Sequence, residues 1–314
     1  MRSLLSLCCG LLAACGGPPG GDDGAVDGRA AQCEPQPPVR DPVLDPGSLA
    51  GIDRTADPGC TGAWVVGVEG RVETPSGEGI AGARTQICVV PVGGELLCLA
   101  PPTTDAGGAF QAAVAEPSAR CAARMTLRVL LPGSINATSY CELELAPSDG
   151  VLTLADPIVV FPVERPACLP PEGDETEPRT ITLADGLELV DLRPEQMNDY
   201  DELAAGRHDL SGHCLLARAP AGGFLGAYGF RPEVDVLGGV AVRIPNTTGL
   251  APGTSLDLYV LGGLATSLAD GTHVEEGEWA RFGTGTVSAD GARIESDPGA
   301  LLTALTWLAY RLPG

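Results

Sequence analysis

Glycine and proline break this chain at a density that leaves little room for long helices: there are 43 and 28 of them in 314 residues. Proline removes a backbone donor and clashes with the preceding helical turn, and an interior glycine costs about 1 kcal/mol relative to alanine. Between the breaks lie short β-branched runs, such as Thr85 to Val90, Arg124 to Leu131 and Val240-Ala241-Val242-Arg243-Ile244. Runs of that length bounded by turn residues predict an all-β chain with many turns. A hydrophobic content of 44% is enough for packed cores, and a chain of this length suits two domains of about 100 to 150 residues each.

The amino terminus does not follow this pattern. Met1-Arg2-Ser3 precedes an apolar run that ends in Leu12-Ala13-Ala14-Cys15 and then glycines. One basic residue, a short apolar stretch and small residues before a cut site make a secretion signal, and the run is far short of the roughly 20 residues of a spanning helix. The tetrad resembles the lipobox of bacterial lipoproteins. That resemblance implies cleavage after residue 14, a diacylglycerol on the Cys15 sulfur and an acylated new amino terminus. Several acyl chains, at about 0.8 kcal/mol per buried methylene, anchor a protein to a membrane in effect permanently. The expected partner is thus a membrane, through lipid at Cys15, and the expected location is the cell envelope, at the outer membrane or surface of a Gram-negative bacterium.

Export changes how the other cysteines are read. With Cys8 and Cys9 removed in the signal and Cys15 given to lipid, Cys33, Cys60, Cys88, Cys98, Cys121, Cys141, Cys168 and Cys214 remain. An even set in an exported chain reads as up to four disulfides, with 105 formal connectivities. None shows the Cys-x-x-Cys spacing of zinc or thioredoxin sites. The charge balance is acidic, 41 Asp+Glu against 19 Lys+Arg for a net of −22, and every basic residue is an arginine. Such a surface excludes nucleic acid as a partner and disfavours anionic lipid heads. The acidity is spread rather than blocked, which reads as solubility, with calcium capture by an acidic loop as the alternative.

Residues 15–60 are rich in Pro, Gly and Asp and carry no sustained period, so they read as a flexible tether holding the folded part away from the membrane. Cys33 and Cys60 could close a loop within it. A first module occupies 61–163. Val66, Val68 and Val72 alternate as in a half-buried strand, and Thr85 to Val90 and Glu95 to Leu99 flank the turn Val92-Gly93-Gly94. Cys88 and Cys98 lie at matching distances from that turn and are candidates for a cross-strand bridge. Gly70-Arg71-Val72, Gly79-Ile80-Ala81-Gly82-Ala83 and Thr104-Asp105 followed by Gly108-Ala109-Phe110 resemble the carboxypeptidase regulatory-like module. The resemblance implies a seven-stranded, transthyretin-like β-sandwich with no catalytic residues. The extra cysteines and the inserted Gly107 depart from that pattern.

Pro-rich, acidic residues 164–179 read as a linker, and 180–314 as a second β-sandwich. A strand is expected over Thr180 to Leu189, then a short helix over Pro194 to Ala205, then strand signals at Cys214 to Ala217, Phe230 and Val240 to Pro245. Val242 to Pro245, Gly249 to Thr254, Leu258-Tyr259, Trp279 and Gly283 to Gly291 resemble a β-sandwich of large bacterial surface proteins, distantly similar to the domain shared by zonula occludens proteins and netrin receptors. Those relatives end in a glycine-tryptophan strand, whereas Leu301 to Tyr310 here is ambiguous between strand and helix.

No catalytic or metal constellation emerges. His208, Asp209, Ser211, His213 and Cys214 suggest a nucleophile and base, but they share one short loop and lack a strand-turn-helix context. The stronger reading is a polar loop beside a disulfide. Asp199, Asp201 and Glu202 read as a solvated face, Gly283-Thr284-Gly285 as a turn, and Trp64, Trp279 and Trp307 as core. No cofactor is implied. The sequence thus points to a non-enzymatic, lipid-anchored envelope protein acting as a structural or adhesive module, with an envelope glycan or protein as partner. The alternative is a carbohydrate- or peptide-binding accessory to a secreted enzyme.

Overall fold

The computed structural model describes residues 42–133, 135–166, 169 and 175–314. Among them the chain is all-β, with 19 strands, five short 3-10 turns and no α-helix. Cys15, Cys33, Cys168 and the signal sequence lie outside the described residues.

The first half carries β1 (Ala63–Trp64), β2 (Gly67–Glu73), β3 (Arg84–Pro91), β4 (Leu97–Cys98), β5 (Ala109–Ala113), β6 (Cys121–Leu130), β7 (Ser139–Glu142), β8 (Val151–Thr153) and β9 (Ile158–Val159). They form a five-stranded sheet, β1-β6-β3-β4 with β7 also on β6, and a four-stranded sheet, β5-β2-β8 with β9 also on β2. Their inner faces share one core that includes Val68, Val72, Ile87, Phe110, Leu127 and Leu152. This is a sandwich of nine strands rather than seven, three of them only two residues long. The turn before β5 is built by Asp105, whose Oδ1 accepts from the N–H groups of Gly107 and Ala109 at 2.8 and 2.9 Å.

Residues 42–60, read from the sequence as tether, instead lie against this sandwich. The N–H of Thr103 donates to Asp45 O and that of Gln111 to Pro46 O. Leu49, 4% exposed, packs on Val66 and Val151 over the face of the small sheet turned away from the main core. Gly67 makes this possible, because a Cβ there would stand 2.4 Å from Leu49 Cδ2.

The second half carries β10 (Arg179–Thr182), β11 (Glu188–Leu192), β12 (Ala204–His208), β13 (Gly226–Arg231), β14 (Asp235–Pro245), β15 (Ser255–Leu261), β16 (Trp279–Val287), β17 (Arg293–Ser296), β18 (Leu302–Ala304) and β19 (Trp307–Arg311). They make one ten-stranded sheet in the order β10-β11-β14-β17-β16-β15-β19-β13-β12, with β18 also on β14. Ile181 of β10 and Ala205 of β12, from opposite ends of that order, belong to one core. The sheet therefore folds back on itself into facing layers.

Three local expectations are corrected, and one left open is settled. The helix over Pro194 to Ala205 is two 3-10 turns, Pro194–Gln196 and Tyr200–Glu202, followed by β12. Met197 is extended and Asp199 left-handed (φ 55°), which breaks any helical path while Met197, Tyr200 and Leu203 reach the core. Cys214–Leu216 is a 3-10 turn, not a strand, because His213 Nδ1 caps it by accepting from Leu215 N–H at 3.1 Å. Gly283-Thr284-Gly285 lies inside β16, where it pairs with Leu258, Asp257 and Leu256. Leu301 to Tyr310 resolves into strands β18 and β19.

Candidate functional site

Three disulfides join described cysteines: Cys60–Cys121, Cys88–Cys98 and Cys141–Cys214. Cys88–Cys98 spans the turn between β3 and β4 in direct cross-strand register. Cys60 bonds to Cys121 rather than to Cys33, so it closes the incoming strap onto the start of β6. Cys141–Cys214 ties β7 of the first sandwich to the 3-10 turn of the second half.

That last bond sits beside a core shared by both halves. Tyr140, Phe161 and Val163 cluster with Leu210, Leu215, Trp279 and Trp307. Phe161 lies 4.8 and 4.9 Å from the rings of His208 and His213, and 5.6 Å from Trp307. Trp307 Nε1–H donates to Thr138 O across the junction, and Trp279 Nε1–H to Leu215 O, each at 2.7 Å. Trp279 and Trp307 are therefore core residues, and Trp64 is half-buried.

The structure separates the groups of the polar loop. Asp209 Oδ1 accepts from the N–H and the hydroxyl of Ser211 on the exposed surface, and Cys214 is consumed in its disulfide. His213 spends Nδ1 on Leu215 N–H and donates from Nε2 to Val159 O at 2.9 Å. Burial lowers its pKa, as it does that of His208, which falls to about 4 against the pull of Asp185. His208 and His213 thus pack as rings against Phe161 at the junction, with His213 holding the turn through its two hydrogen bonds. Asp199 and Asp201 are exposed and Glu202 pairs with Arg231.

A second junction cluster escaped sequence reasoning. The β15–β16 connection, residues 262–278, carries Glu275, Glu276 and Glu278 against the first sandwich. Arg124 binds Glu275 at 2.9 Å, Arg218 reaches Glu142, Glu275 and Glu278, and Arg128 binds Glu233 at 2.6 Å with both side chains about 15% exposed. Glu276 is 2% exposed, and neither of its carboxylate oxygens makes a hydrogen bond. Burial pushes its carboxyl up, against the pull of Arg128. No local pattern marks these residues, since docking alone brings them together.

The second sandwich also carries an open groove of about 590 Å³ between β11 and a bulge of β14, lined by Asp191, Arg193, Glu195, Gln196, Leu237 and Gly239. Asp191 is left-handed at φ 58°, and Gly238 and Gly239 take φ values of 77° and 72°. The Gln196 amide holds the bulge by donating to Leu237 O at 2.7 Å, which leaves Leu237 70% exposed at the rim. No family model matches this chain, and no curated protein matches it.

Proposed function

We propose that this protein is a non-enzymatic, lipid-anchored module of the cell envelope, structural or adhesive in role, presenting two β-sandwiches joined as one platform. The observation that carries the reading is the junction, where a disulfide and a shared aromatic core link the halves. Disulfides persist in oxidising compartments, which points to an extracytoplasmic protein, and among the described residues no helix is long and apolar enough to cross a membrane. Leu12-Ala13-Ala14-Cys15 and the resemblance of both halves to exported modules support anchorage through lipid. The groove offers a guanidinium and two carboxylates beside an exposed leucine, a mixture suited to an extended polar chain such as a glycan or peptide.

Replacing Cys15 with serine should move the protein from the membrane to the soluble fraction, and membrane retention of that variant would refute the anchor. A glycan array probed with the protein lacking residues 1–15 should show binding that weakens at least ten-fold in Arg193→Ala. A clean negative sinks the glycan reading and leaves a protein partner or a purely structural role.

A further inference from the structure

Glu276 is the one buried acid of the junction cluster without an ion-pair or hydrogen-bond partner among the described residues. A buried carboxylate without such a partner is unfavourable to desolvate unless something compensates it. Facing it are Cys88 and Cys98, and one ligand atom from each of the three residues lies within 4.8 Å of the others.

We propose that, when the Cys88–Cys98 bond is reduced, its two thiolates and the Glu276 carboxylate form a site for a zinc-class divalent cation. Two thiolates and one carboxylate are donors zinc accepts. Tetrahedral zinc, at about 2.3 Å to sulfur and 2.0 to 2.2 Å to oxygen, needs donors roughly 3.5 to 3.8 Å apart. The frame keeps the donors in reach after reduction, since Cys88 and Cys98 are directly opposed in the β3–β4 ladder. Glu276 comes from the β15–β16 connection of the other half, so a bound ion would pin the two halves together.

The nearby cations do not forbid this. Arg128 is neutralised by Glu233 and Arg124 by Glu275, and three anionic donors exceed a dication's charge by one. Entry is through Cys98, which is half-buried at the hairpin while Cys88 is fully buried. The redox step balances with a dithiol reductant. One reductant thiolate attacks Cys98 Sγ and expels Cys88 as thiolate. The second reductant thiol then closes its own disulfide and frees Cys98, so two electrons pass to the protein. Metal binding then releases any remaining thiol protons to solvent.

The full chain would be reduced under native, oxygen-free conditions, freed of reductant and titrated with Co²⁺ alone, with circular dichroism recorded throughout. The expected result is thiolate-to-cobalt charge-transfer absorption that saturates at one equivalent, absent in the oxidised protein. It should weaken at least ten-fold in Glu276→Gln and persist in a Cys60→Ser/Cys121→Ser variant. Absence of the absorption, a Glu276→Gln titration equal to wild type, loss of binding on removing the Cys60–Cys121 pair, or unfolding on reduction would each overturn the site.

Discussion

His208 is held neutral against Phe161 and Trp307, and its pKa of about 4 lies below the ordinary 6.5. A depressed histidine favours the fold while the unfolded chain is also neutral, above about pH 6.5. That contribution is lost as pH falls from 6.5 toward 4, where the unfolded chain binds a proton that the native state refuses. The full shift corresponds to about 3 kcal/mol, and partial exposure of the ring cuts it to roughly 2. Urea midpoints at pH 8 and pH 4.5 should therefore differ less in His208→Gln than in wild type, and an equal difference would contradict the burial account. Gly229 sets a second limit at the same junction, since a Cβ there would stand 2.5 Å from Ala137 Cβ and 3.0 Å from Trp307. Gly229→Val should destabilise by about 2 kcal/mol or more, seen as a lower thermal midpoint. Neither constraint is written locally in the sequence. His208 looks like a polar loop residue, and Gly229 like any strand glycine, until Phe161 and Ala137 arrive from the other half.

Strands with alternating or continuous apolar runs were legible: Val68 and Val72 in β2, Ile87 and Val89 in β3, and Val240, Val242 and Ile244 in β14 all reach the cores expected of them. The run from Pro194 misleads because a proline at its start and Gly206 past its end frame it like a helix, yet the turn finishes at Gln196. Local signals choose a turn, and the core's demand for Met197 and Tyr200 sets the path of the chain beyond it. The strap over residues 42–60 misleads in the opposite way. Its prolines suit an extended chain, and nothing in its composition shows that Gly67 leaves a socket for Leu49. Leu49→Ala should cost about 2 to 3 kcal/mol if the strap is as firmly seated as its burial indicates. Hydrogen exchange at Thr103 and Gln111, whose N–H groups bond to Asp45 and Pro46, should quicken in the same variant. Unchanged exchange would show the strap to be dispensable.

At the scale of the whole molecule, cysteine pairing was legible only where it is local. Cys88 and Cys98 are separated by one short turn, whereas Cys60–Cys121 and Cys141–Cys214 span 61 and 73 residues and depend on the finished topology. A loop the length of the last adds about 4 kcal/mol in the chain-entropy view of disulfides. Wild type should melt in one calorimetric transition, and the Cys141→Ser/Cys214→Ser variant should split into two as the halves uncouple. A variant that still melts as one unit would give the junction's cohesion to its aromatic core and ion pairs. The same bond has a mechanical meaning. If force enters at the amino-terminal end and leaves at the last sandwich, the stretch of chain from Cys141 to Cys214, a sequence separation of 73, is bypassed by a covalent shunt. Roughly 250 Å of contour length, at about 3.4 Å per residue, is thereby withheld from extension. Under load the protein would behave as a short, stiff link, and reducing that single bond would turn it into a long, compliant one.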